Sequence, residues 1–261
     1  MWAKSMAEQT PKAGPNLRFA YRDLIVAGLD KILAEQAEAL TRVRDVIAEA
    51  LAADRMIFVA GSGHSHMLAE EVFYRAGGIA AAQAILDPDL MLHLGAARST
   101  VLEREEGRAA AAIDRYPVGK GDVVIIASNS GRNTFPIELA MIARERGAIT
   151  VGLTSLDHSR KTTSRHESGK RLFELTDHVI DNCGVYGDSA LAIPGRTISM
   201  GPTSTVSGVF ILNTLLAEAV AQLAQRGIEV DVYQSANRQG ADAEAAALVL
   251  IERWRHRIIG L

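Results

Sequence analysis

Residues 123–155 read VVIIASNSGRNTFPIELAMIARERGAITVGLTS. Two short β-branched runs flank an amphipathic stretch, and each run stops at small polar residues: Ser128, Asn129 and Ser130 after the first, Thr154 and Ser155 after the second. Continuous aliphatic runs of this length make strands buried on both faces. Two of them joined through a helix form a right-handed βαβ crossover. Residues 55–78, RMIFVAGSGHSHMLAEEVFYRAGG, repeat the plan with a strand over Met56–Ala60, a Gly-Ser-Gly turn and a helix closed by Gly77 and Gly78. Further strands are expected over Ala80–Leu86 and Asp177–Ile180. Helical spacing predicts one long helix or two over Leu17–Arg55, and helices over Leu102–Tyr116, Thr203–Gln225 and Ala241–Arg257. Alternating strands and helices define an α/β fold with a parallel sheet. Residues 1–16 read as a flexible arm and 17–261 as one domain.

Composition narrows the function classes. A 48% hydrophobic share with only 5% aromatic residues suits helices packed around an aliphatic centre. Formal net charge is −3 and no block of Lys or Arg forms a stripe, so neither nucleic acid nor an acidic membrane is an expected partner. The single Cys183 excludes an intrachain disulfide. No apolar stretch is expected to span a bilayer, which takes about 20 residues. The first residues lack the apolar core of a secretion signal, so a cytoplasmic location is expected.

In an open parallel sheet, ligands sit outside the carboxyl ends of the strands, where helix N-termini expose unpaired N–H groups. Those positions here hold Ser62 and Ser65, then Ser128, Asn129, Ser130 and Asn133, then Thr154 and Ser155, while Thr203, Ser204 and Thr205 open the late helix. Hydroxyls, amides and a helix dipole can hold a phosphate without Lys or Arg. Each residue alone could equally cap its helix. Their recurrence at successive strand ends favours a ligand. GSGHSH lacks the third glycine of a dinucleotide fingerprint, and no glycine-rich loop ends in Gly-Lys-Ser/Thr, so neither a dinucleotide nor ATP is expected.

GSGHS and ASNSGRNTFPIELAMIARERGAITVGLTS, with GPTSTVSGVFILNTLLAE, resemble the SIS (sugar isomerase) domain over roughly residues 35–225. GSGHSHMLAEEVFYRAGG, EREEG and DVYQSANRQGAD are similar to its UPF0309 group. The resemblance implies a three-layer αβα sandwich around a five-stranded parallel sheet, with extra helices at both ends. It also implies a sugar-phosphate ligand, no metal or organic cofactor, and a homodimer or higher oligomer with sites near the subunit interface. Members include aldose–ketose isomerases, a lyase that removes lactate from N-acetylmuramic acid 6-phosphate, and non-catalytic sensors. An isomerase acting on a hexose or N-acetylhexosamine phosphate is the leading expectation, with the lyase and the sensor as alternatives.

Both chemistries take a proton from carbon beside a carbonyl or latent carbonyl, which needs a carboxylate base. The position matching the glutamate late in the first loop's helix of phosphoheptose isomerases and the etherase is Arg75 here. Glu71 and Glu70 lie one turn earlier. Glu106 of EREEG resembles the second acid/base glutamate of the etherase and becomes the expected base, while Glu103 and Glu105 read as a solvated face paired with Arg104 and Arg108. His64 could open the sugar ring or could cap a helix. His64 and His66 are two apart with no evident third ligand, so no metal site is expected. His158 follows the third strand and is a candidate for the rim of the site.

Overall fold

The computed structural model describes residues 16–235 and 241–261, leaving nearly all of the expected arm and residues 236–240 outside it. The N-terminal helical segment is two helices, α1 (Leu17–Glu35) and α2 (Ala37–Ala52), which meet at Gln36. Five strands follow: β1 (Ile57–Gly61), β2 (Ala82–Ile85), β3 (Val123–Ala127), β4 (Ile149–Thr154) and β5 (His178–Asp181). They pair in parallel in the order β2-β1-β3-β4-β5.

Period-two alternation divides each strand between two cores. Ile57, Val59, Val123, Ile125, Val151 and Leu153 face one cluster, which buries Leu40, Val43 and Ile47 of α2 together with α3 (His66–Val72) and α8 (Ser204–Gln225). Phe58, Ala60, Val124 and Ile126 face the other, against α5 (Arg108–Ile113) and α6 (Thr134–Glu145). The result is the expected helix–sheet–helix sandwich, with α1 and α9 (Ala241–Trp254) as the added helices at its two ends. By length and composition α8 could cross a membrane. Here its Ile211, Leu215, Ala219 and Leu223 are buried in the core, and Gly208 lets it touch α3: a Cβ there would fall 2.3 Å from a Leu68 methyl.

The helix expected over Leu102–Tyr116 is instead two, α4 (Ala96–Leu102) and α5, with the break at 103–107. Gly107 takes φ +77°, a conformation that ends helices and suits glycine. The broken turn docks on the start of α6. Phe135 N–H donates to the Glu103 carbonyl at 3.0 Å, Thr134 Oγ1 to the Arg104 carbonyl at 2.9 Å, and Gly107 N–H to the Glu138 carboxylate. A short helix α7 (Leu156–Arg160) and a two-stranded hairpin, β6 (Leu191–Ala192) with β7 (Ser199–Met200), fill loops that carry no periodic signal.

Candidate functional site

The strand order puts the topological switch between β1 and β3, because the chain leaves β1 for β2 on one side and returns to β3 on the other. The crevice outside the carboxyl ends of those two strands is where such sheets bind ligands. The loops opening there are 62–65 after β1 and 128–133 after β3. Gly61 makes the first possible: a Cβ would lie 2.5 Å from the Ser65 backbone, so only glycine lets the loop fold back over the strand. Gly131, at φ +59°, turns the second.

A small, nearly closed cleft lies at this crevice, lined by Ser65, Leu68, Ala127, Ser128, Asn129, Leu153, Asn182, Ser204 and Thr205. Its lining contains no Lys or Arg. Loops separated by more than a hundred residues thus place hydroxyls and amides from β1, β3 and α8 around one small volume. Ser128 Oγ accepts the Gly131 N–H at 3.2 Å and keeps its own proton to donate. Asn129 is aimed by a side-chain bond from Asn182 Nδ2 at 2.9 Å.

Thr154 and Ser155 play a different part. Both are fully buried. Thr154 Oγ1 and Ser155 N–H donate to the Asn129 carbonyl at 3.1 and 3.0 Å, and Ser155 Oγ donates to the Gly184 carbonyl at 2.5 Å. Their protons are committed to backbone, so they brace the β3 loop from below. Thr203 and Ser204 are likewise engaged: Asp188 accepts their backbone N–H groups at 3.0 Å and both hydroxyls. An internal carboxylate therefore caps α8, while Thr205 lines the cleft.

Outside the cleft's lining, Glu103 is held between the same two loops. Ser62 Oγ donates to its Oε2 at 2.8 Å and Asn133 Nδ2 to its Oε1 at 2.7 Å. Burial pushes the Glu103 carboxyl above its ordinary pKa, against the hydrogen bond from Ser62 and the charges of Arg104 and Arg165. Asn133 occupies the N-cap of α6 without capping it, because its side chain bridges Glu103 and Arg165, whose Nη1 donates to Asn133 Oδ1 at 2.7 Å. On the opposite rim, Gly187 N–H reaches His158 Nδ1 at 3.4 Å and the imidazole packs on Tyr186, 4.8 Å between ring centres. Burial holds the His158 pKa below its ordinary value.

The other expected acid/base residues lie elsewhere. Glu106 is exposed on the broken turn. Glu71 pairs with Arg75 and accepts from Asn213 Nδ2 at 2.9 Å, on the outer surface where α3 meets α8. His64 is exposed in the β1 loop, whereas His66 is buried and bonds the Gly63 carbonyl, so the two imidazoles do not converge. Among the described residues no group of three or more His, Cys, Asp or Glu could hold a metal. In sequence Glu103 reads as part of a solvated helix face with Glu105 and Glu106, paired with Arg104 and Arg108. The signal against that reading was Gly107, which breaks the helix and turns Glu103 inward. Asp188, Asn182 and Arg165 sit in loops without a sequence pattern, whereas Arg132 lies within the patterned 128–133 loop.

The fold and cleft can be set beside known proteins. The SIS domain family matches residues 20–155. A UPF0309 protein of Caldanaerobacter subterraneus subsp. tengcongensis is 44% identical over 241 residues, 91% of this chain and 97% of that one. One from Listeria monocytogenes serotype 4b is 44% identical over 238 residues, covering 91% and 96%. The chain belongs to the SIS domain family, in its UPF0309 group. The structure of a phosphoheptose isomerase from Neisseria gonorrhoeae superposes with a TM-score of 0.51 at 16% identity, over 78% of this chain and 97% of that one. At that identity the likeness is one of fold: the SIS sheet and its flanking helices are shared.

Proposed function

We propose that this SIS protein binds a sugar phosphate in the switch-point cleft and isomerises it between aldose and ketose forms, with Glu103 as the base. The observation that carries the reading is a hydroxyl- and amide-lined cleft whose two loops, through Ser62 and Asn133, also fix a carboxylate. Ser65, Ser128, Ser130 and Thr205, with the amides of the β3 loop, are the donors we assign to the phosphate, and the phosphoheptose isomerase of the same fold makes a phosphosugar the natural ligand. Glu103 takes the proton from the carbon beside the carbonyl and returns it to the neighbouring carbon. A raised carboxyl pKa brings its basicity closer to working pH, which favours proton transfer in both directions. Glu103 replaces the exposed Glu106 and the surface-paired Glu71 in this role. His64, exposed between Ser62 and Ser65, is assigned to ring opening. The substrate class is a hexose or N-acetylhexosamine phosphate.

We further assign a dimer. Helix α1 buries Ile32 but leaves Phe19, Leu24, Val26 and Leu33 exposed, a surface that a second copy would cover. The chemical proposal is tested by incubating the protein with tight-binding sugar phosphates in deuterated water and following the C2 proton by NMR. Exchange is the expected result. Tight binding without exchange for any ligand would instead mark a sensor.

A further inference from the structure

We propose that the ligand carries a second anionic group, a carboxylate or a second phosphate, and that Arg132, Arg165 and Arg104 receive it beside Glu103. This rests on the phosphosugar reading and narrows its substrate class: the second anion is a substituent away from the two carbons between which Glu103 moves the proton. Arg132 follows Gly131 in the β3 loop, and the Arg165 N–H donates to its carbonyl at 2.8 Å, fixing the two together. Arg104 follows Glu103. Among the described residues none of the three forms an ion pair, whereas Arg75, Arg108, Arg144 and Arg146 all do. Arg165 reaches only the neutral Asn133 Oδ1. Arg132 Nη2 reaches only Thr163 Oγ1, at 3.4 Å, and its Nε is buried with no partner.

The Arg165 guanidinium feels the charges of the other two. Partial burial, then the charges of Arg132 and Arg104, hold the Arg165 pKa below the usual arginine value, while Glu103 pulls the other way. Asp188, across the rim, has its oxygens occupied by Thr203 and Ser204. Three guanidiniums without an ion pair favour an incoming anion. The cleft assigned to the phosphate is neutral, so these arginines do not line the phosphate's own position. A guanidinium fork matches the paired oxygens of a carboxylate or a phosphate.

The test compares, for binding alone, phosphosugars with one and with two anionic groups at fixed ionic strength by calorimetric titration: glucose 6-phosphate against 6-phosphogluconate and fructose 1,6-bisphosphate. At least one ligand with two anionic groups should bind the wild type about ten-fold or more tighter, the scale of a charge-assisted hydrogen bond. Tighter 6-phosphogluconate identifies a carboxylate, and tighter bisphosphate a second phosphate. In Arg165→Gln and in Arg132→Gln/Arg165→Gln that ratio should collapse toward one, and Arg165→Lys should restore part of it. Binding of glucose 6-phosphate with no preference for the ligands with two anionic groups would overturn this inference while leaving the phosphosugar reading intact. So would a variant that weakens all ligands equally, since the arginines would then hold the phosphate itself. Binding of none of the three overturns the reading beneath it as well.

Discussion

Replacing Glu103 by Gln separates the chemistry of the site from its architecture. Each carboxylate oxygen accepts one bond, from Ser62 Oγ and from Asn133 Nδ2. A glutamine amide can accept from Asn133 through its oxygen and donate to Ser62 through its nitrogen, because the serine hydroxyl turns to accept. Both bonds survive, so the loops stay in place and ligand affinity should change less than ten-fold. The base, however, is gone. General base catalysis is worth about 10²- to 10⁴-fold, or roughly 3–5 kcal/mol of barrier, and the C2 exchange rate should fall by that factor. Stability should move the other way. The folded-state pKa of Glu103 is raised, so its contribution is most favourable below the unfolded carboxyl value and is lost as pH rises through the folded one. The amide has no such loss, and Glu103→Gln should gain stability relative to wild type as pH rises across that window. NMR exchange in deuterated water and denaturant melts across pH read the two effects. Wild-type exchange in the variant would refute Glu103 as the base and return the role to Glu106 or Glu71.

Ser128→Ala with Ser130→Ala should abolish detectable sugar-phosphate binding by calorimetry and cost about 1 kcal/mol of stability, since Ser128 Oγ also accepts from Gly131 N–H; unchanged affinity would remove both serines from the phosphate's donors. Ser155→Ala should cost roughly 1–3 kcal/mol in a urea melt, because it strands the buried Gly184 carbonyl, and a neutral result would deny Ser155 its bracing role. Sedimentation velocity at micromolar concentration should show a species of about twice the 28.0 kDa chain mass, and a single 28.0 kDa species would contradict the dimer.

Much of this was legible in the residues. The apolar runs at 56–60, 123–127 and 149–153 mark strands because short aliphatic stretches ended by small polar residues suit buried strands; the structure keeps 123–127, shifts the first to 57–61 and extends the third to 154. The loops at 62–65 and 128–133 were legible for the same reason. What failed was the assumption that a helical pattern without proline continues: residues 102–116 satisfy helical spacing, yet Gly107 and the docking of α6 on Glu103 and Arg104 break it. That tertiary contact, made by a helix some thirty residues on, turned a glutamate expected on a solvated face into the one held by the cleft's two loops. Thr154, Ser155, Thr203 and Ser204 show the converse limit. Hydroxyls that brace a loop and hydroxyls that line a cleft have the same sequence signature, and only the direction of the O–H bond separates them.

The central claim is that the switch-point cleft holds a sugar phosphate, and a thermal-shift panel of phosphorylated and dephosphorylated sugars tests it most directly. A ligand at a hundred times its Kd stabilises the folded state by about 2.7 kcal/mol. In a chain of this size that is a rise of roughly 5–10 °C in Tm. At least one sugar phosphate should raise Tm by that amount in the wild type, its dephosphorylated sugar should not, and the Ser128→Ala/Ser130→Ala variant should lose the rise. A panel of sugar phosphates that leaves Tm where it stands, or a rise that the free sugar reproduces, would contradict the account.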